Sequence, residues 1–176
     1  TSWNAKDVTT ATAYTAPSYP TTPSLFTFTH GAIYSGTLTA PTATALGSAP
    51  TPVAGIRSGS IDLKHNLKTD RYNCGGGGRK DKPIPGLREI SGSMVAEYAG
   101  TSFRDAVMAD TSLTIVKTFT SGTDVLQIIV PDVRLDGDLP KASTDLALQD
   151  IKWVGLDNLT AAQPIWIVCR TADTAL

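Results

Sequence analysis

Charge is scarce in this chain. Asp, Glu, Lys and Arg make up 18% of 176 residues, and the formal net charge is −1. A protein that grips nucleic acid through its phosphates carries a basic surplus, and this chain has none. Cysteine is nearly absent: Cys74 and Cys169 lie far apart in sequence and read as two free thiols of a reducing compartment. Cys169 alternates with apolar neighbours in "IWIVCR" and reads as a small core residue. Two histidines, His30 and His65, are too few and too scattered for a metal site. No apolar run is long enough to span a membrane as a helix, and no secretory-signal pattern is present. Residue 1 is Thr and not Met, which reads as processing, truncation or renumbering.

What is present is alternation. The length suits one domain with a real core. In "PVAGIRSGSIDLKHNL", Val53, Ile61, Leu63 and Leu67 share one parity, and Ser58, Ser60, Asp62, Lys64 and Asn66 the other. In "LREISGSMVAEYA", Ile90, Met94, Ala96 and Tyr98 point one way and Glu89, Ser91, Ser93 and Glu97 the opposite way. Period two with one apolar face marks half-buried strands. "LFTFTH" and "AIYSGTL" read as a short hairpin across His30 and Gly31. "SLTIVKTF", Gly122 and "VLQIIV" read as another, and "LQDIKWVGL" and "PIWIVCRT" as the last two strands. "TSFRDAVMAD" breaks the rhythm. Ser102 and Asp105 fit a capping box, and Phe103, Ala106 and Val107 share one face of a short helix. Residues 1–24, rich in Thr, Ala and Pro, read as an extended arm or linker, and 39–52 as a loop. Residues 25–176 form the body. The order of elements predicts a mainly β fold, an antiparallel β-sandwich or barrel-like domain carrying one short flanking helix.

Motifs of chemistry fail on inspection. The run "CGGGGRKDKPIPG" pairs glycines with cations, as a phosphate cradle does. A P-loop needs Lys followed by Ser or Thr and then a helix. Here Asp81 stands where the hydroxyl belongs, and Pro83 and Pro85 resist a helix. "RLDGDLP" lacks the later ligands of a calcium loop and reads as a turn built on Asp136 and Gly137. The serines of "RSGS" and "ISGS" sit inside alternating strands, without the Gly-x-Ser-x-Gly of a nucleophile elbow. Asp62, Glu89 and Glu97 have no His or metal partner in the pattern and read as a solvated face. Nothing marks an enzyme, and no cofactor is expected.

The oddity is the connection. Two long strands are joined by residues 68–86, where an efficient hairpin uses two to five residues. A long unpatterned loop between well-patterned strands is functional or disordered. The charges of Arg79, Lys80, Asp81 and Lys82 suit an exposed contact surface.

The chain resembles the major tail tube proteins of tailed bacteriophages. The resemblance is carried by "SGSIDLKHNL", a long loop, "KPIPGLREISGSM", the helix at "SFRDAVM", and "LQIIVPDVRLDGDLPKAS" leading into "LQDIKWVGL". In that family a strand ends in a Pro-containing step, crosses a Gly turn and leads to an aromatic and apolar strand. Pro131, Gly137, and Ile151, Trp153 and Leu156 match this. The resemblance covers about residues 25–171, leaving the arm outside.

It implies a structural virion protein, assembled in the host cytoplasm into stacked rings, typically of six copies. Strands of neighbouring subunits join into one inner barrel, a conduit for genome delivery. The implied partners are other copies of the chain, a tape-measure protein, double-stranded DNA passing without specific binding, and a sheath or tail-terminator protein. On that reading the lumen face carries Ser58, Ser60, Asp62, Lys64, Glu89, Ser91, Ser93 and Glu97. Hydroxyls hydrate the wall, and carboxylates repel phosphate over roughly 8 Å at physiological salt. Lys64 and Lys152 moderate that field. The assembly loop is Gly75, Gly76, Gly77, Gly78, Arg79, Lys80, Asp81 and Lys82, reaching acidic groups on a neighbour. The rival reading is a β-sandwich binding module, such as a capsid decoration protein or head–tail connector.

Overall fold

The computed structural model describes residues 25–71, 82–98, 100–137, 147–157 and 159–171. The contact pattern separates Leu63–Glu89 from a larger unit formed by Pro20–Asp62 and Ile90–Leu176. The described part is mainly β, with one antiparallel eight-stranded sheet and one short α-helix, in keeping with the expected class.

The strands are β1 (Gly31–Ser35), β2 (Thr51–Val53), β3 (Ile56–Lys64), β4 (Glu89–Glu97), β5 (Leu113–Ser121), β6 (Asp124–Gly137), β7 (Leu148–Gly155) and β8 (Trp166–Arg170). Their order across the sheet is β2-β1-β5-β6-β7-β4-β3, with β8 also pairing β6. The two ends of that path, β2 and β3, are consecutive in sequence and separated only by Ala54 and Gly55. Gly55 makes the corner. Its φ is +77°, a region that side-chain-bearing residues avoid, and its carbonyl accepts from the Glu97 amide. The sheet therefore curls back on itself through one chain crossing from one end to the other.

β6 is the spine. Val125–Ile129 pair with β8, and Val133–Gly137 pair with β7 along the same edge. The handover falls at Pro131. Against β5 the register steps from Ile115–Val130 to Leu113–Val133, a bulge. Proline has no N–H for a ladder, so a bulge between two partners is where a strand tolerates it. Its carbonyl is held by the Thr114 hydroxyl at 2.8 Å. The strand thus does not end at the proline, as the sequence suggested. Nor is "RLDG" a turn: Asp136 and Gly137 are paired with Lys152 and Ile151. Gly137 is required because a Cβ there would lie 2.7 Å from the Asp150 carbonyl.

The main core is built by the expected parity. Ile90, Met94 and Ala96 of β4 and Ile151 and Trp153 of β7 are buried, with Met94 opposite Ile151 and Trp153 opposite Gly92. A second cluster joins Ala49, Val116 and Ile129, with Tyr34, Leu38 and Trp166 packed against it. The loop before β2 is fastened there. The Gln127 side chain, 3% exposed, accepts from the Gly47 amide at 2.9 Å and donates to the Gly47 carbonyl at 2.8 Å. It also donates to the Thr118 hydroxyl at 2.9 Å.

Three further expectations change. "LFTFTH" is not a strand: Phe28–His30 is a 3-10 turn leading into β1, and β1 pairs with β2 and β5. Cys169 is exposed, because it shares its parity with Ile167, which is 61% exposed, on the open side of β8. Both parities of that strand are apolar, so alternation could not say which faces in. The helix α1 (Ser102–Met108) buries Ala106 as expected. Its cap is Thr101 and not Ser102, and it makes no capping-box bond. The Thr101 hydroxyl instead bonds the Asp105 carboxylate, holding it below the ordinary carboxylate range, with Arg104 at 2.6 Å adding to the effect.

Candidate functional site

The strand alternation that buries Ile90, Met94 and Ile151 lifts a polar set onto the opposite face. Ser58, Ser60 and Asp62 of β3 are exposed, as is Ser93 of β4, while Ser91 is half-buried. The Ser60 and Ser93 hydroxyls lie 3.1 Å apart across the two strands. A shallow depression of about 360 Å³ gathers Ser60, Asp62, Ser91 and Ser93 with Asp136 and Lys152 of the neighbouring strands. It holds two carboxylates, one ammonium and several hydroxyls. Such a surface binds water well and carries slight negative charge, and its groups are too sparse to grip an ion.

The other sequence-selected residues are placed elsewhere. Glu97 is ion-paired with Arg57 at 2.8 Å and lines a different cleft. Glu89 accepts from the Asn66 side chain at 3.1 Å. Lys64 is exposed at the end of β3. Asp136 joins the depression although its segment read as a turn. The signal was there: Val133 and Leu135 are buried while Arg134 and Asp136 are exposed, continuing the strand period past Pro131.

Within Leu63–Glu89, a short stem closes the long connection. Lys68 and Ile84 bridge through both backbone bonds, at 2.9 and 3.3 Å. The Gly86 amide reaches the His65 and Asn66 carbonyls, and a Cβ there would sit 2.5 Å from the Asn66 oxygen. Arg71 donates to the Lys82 carbonyl at 2.8 Å, and the Lys82 side chain is exposed. Gly75–Gly78, Arg79, Lys80 and Asp81 lie outside the described residues, as does the arm at 1–24. The whole segment carries seven Lys and Arg against three Asp and Glu, a net charge of +4, which leaves −5 for the rest of the chain.

Among the described residues no group of three or more His, Cys, Asp or Glu could hold a metal ion. No helix among them is long and apolar enough to cross a membrane. A curled antiparallel sheet with one polar face defines a mainly β protein, whose informative surfaces are faces and edges. A family model described as phage tail tube protein matches residues 1–155, and the chain belongs to that family. No curated protein matches it. The match takes in the arm and stops at the end of β7, whereas the resemblance read from the sequence omitted the arm and ran through β8. The chain is a structural component of the bacteriophage tail tube.

Proposed function

We propose that this chain assembles into stacked rings, six copies in each, and that the rings form the conduit through which the genome leaves the virion. The polar face of β3 and β4 lines the lumen, centred on Ser58, Ser60, Asp62, Ser91 and Ser93. Lys64, Glu89 and Glu97 extend it along the strands. The observation that carries this reading is the segregation of faces: hydroxyls and two carboxylates gather on one side, while the opposite side is buried in β4 and half-buried at Ile61 and Leu63 of β3. DNA sliding past such a wall meets hydrated groups and weak repulsion, with little to hold a phosphate.

A second feature supports ring formation. β3 ends the sheet path, so one of its edges carries no partner strand among the described residues. An exposed edge this long is an aggregation hazard unless it is covered, and a strand of the next copy covers it by extending the sheet. The basic loop Gly75–Lys82 reaches an adjoining copy. The tape-measure protein occupies the lumen during assembly, and a sheath or terminator protein meets the outside or end of the tube. Electron microscopy of the purified chain tests this. Rings or hollow tubes are expected, and dispersed monomers at high concentration would overturn it. Deleting Gly75–Lys82 should leave a folded subunit that no longer polymerises.

A further inference from the structure

The polar face ends at two open strand edges. Its strands lie in the order β6-β7-β4-β3, and β3 closes one side with no further partner among the described residues. On the other side β5 accompanies β6 only as far as the Leu113–Val133 pair. Beyond it, Arg134–Gly137 hold β7 on one edge and, among the described residues, no strand on the opposite one. Both edges border the same face: Ser58, Ser60 and Asp62 of β3 are exposed, as are Arg134 and Asp136 of β6. An open edge displays unpaired N–H and C=O groups and is a template for another strand. The other open edges fit this role less well. β2 has three residues, one of them Pro52 with no N–H to donate. β8 lies along the half of β6 before Pro131, outside the polar face.

Direction and charge select the partner and its register. Along β3 the contacts with β4 run backwards: the Gly55 carbonyl meets Glu97 and the Ser60 hydroxyl meets Ser93. The pairs β4–β7 and β7–β6 are also antiparallel. The two outer strands, β3 and β6, therefore run in opposite directions. Rotation about a tube axis leaves the direction of each strand along that axis unchanged, so β3 of one copy meets β6 of the next antiparallel, as elsewhere in the sheet. We propose that Arg134–Gly137 of β6 in one copy fills the open edge of β3 in the next. Asp62 then stands opposite Arg134, Ile61 opposite Leu135, Ser60 opposite Asp136 and Gly59 opposite Gly137. A shift by one residue turns every side chain to the wrong face. A shift by two in one direction sets Asp62 against Asp136 and Lys64 against Arg134, both like-charged and unfavourable. The opposite shift leaves both charges of β6 facing serines. Arg134 already bonds Asp110 at 2.5 Å, and its five N–H donors leave room for a second carboxylate. The joint rests on the ring assembly proposed above and names the strand that fills the β3 edge.

Disulfide trapping in the full chain tests the joint. Ser60→Cys and Asp136→Cys are combined in one chain, and both positions are exposed, so the subunit should keep its circular dichroism spectrum. Within one subunit β6 and β3 are three strand spacings apart, about 14 Å, beyond the roughly 7 Å that a disulfide spans. A disulfide between positions 60 and 136 is therefore intermolecular. Assembled material under mild oxidation should give a ladder of covalent multimers on a denaturing gel, with the linked peptides identified by mass spectrometry. Either substitution alone should give no such pair. Ser58→Cys or Asp62→Cys combined with Asp136→Cys should link far less, since diagonal neighbours lie about 7–8 Å apart. Asp62→Arg sets like charges opposite each other and should raise the concentration needed for assembly about threefold or more. A link from position 136 to 58 or 62 in place of 60, tubes with no link between β3 and β6, or no rise for Asp62→Arg would overturn the joint while leaving tube formation standing. Wild-type chain that stays monomeric would overturn both.

Discussion

Replacing Gln127 by Leu should unfasten the loop before β2. The side chain is buried and serves both backbone groups of Gly47, itself a buried residue 80 positions away. Leucine fills much the same space and satisfies neither group. Each orphaned backbone group costs about 1–3 kcal/mol. The Thr118 hydroxyl is half-buried and can turn to water, so it adds little. Leucine's own burial recovers part, leaving a net loss of about 2–5 kcal/mol. Against a total stability of about 5–15 kcal/mol this is large, and for a chain of this length it lowers Tm by roughly 5–15 °C. Equilibrium urea unfolding of unassembled subunits measures it as a fall in midpoint at constant slope. Gln127→Glu supplies a control with a definite sign. Its carboxylate can accept from the Gly47 amide but faces the Gly47 carbonyl without a proton to donate. Burial raises its pKa above the unfolded value, so the native state holds the extra proton, and the variant gains stability as pH falls. A loss below about 1 kcal/mol for Gln127→Leu would refute the idea that this amide fastens the loop.

Two further substitutions probe other joints. Gly92→Ala should cost about 1–3 kcal/mol or more by thermal unfolding, because its Cβ would collide with the Ser60 carbonyl and the Trp153 indole; a change within about 0.5 kcal/mol would mean that β3 shifts freely. Thr101→Val should raise the Asp105 pKa toward its ordinary value, as read by NMR titration, since the Thr101 hydroxyl bond is the largest cause of its depression. With the folded value lowered, the stability Asp105 contributes is present at neutral pH. It is lost as pH falls from the ordinary carboxylate range through the folded value, and the valine variant should show less of that loss.

Alternation made the two decisive strands readable, since Ile90, Met94, Ser91 and Ser93 took the sides their parity required. The helix and the Gly122 hairpin were readable for equally local reasons: an apolar face, and a φ of +62° that glycine adopts without strain. Pro131 misled because proline ends a strand unless a bulge receives it, and the bulge depends on β7 and β8 sharing one edge of β6. Cys169 misled because a strand apolar on both sides carries no directional information. The two unpartnered buried atoms, Gln149 Nε2 and Asp132 Oδ1, had no local signature at all, because they exist only once the strands are packed.

An electron-microscopic reconstruction of the assembled chain bears most directly on the functional assignment. It should show a hollow tube with Ser60, Asp62, Ser91 and Ser93 facing the channel and the free edge of β3 paired with the next copy. A tube with those side chains on its outer wall, or with β3 left unpaired, would contradict it.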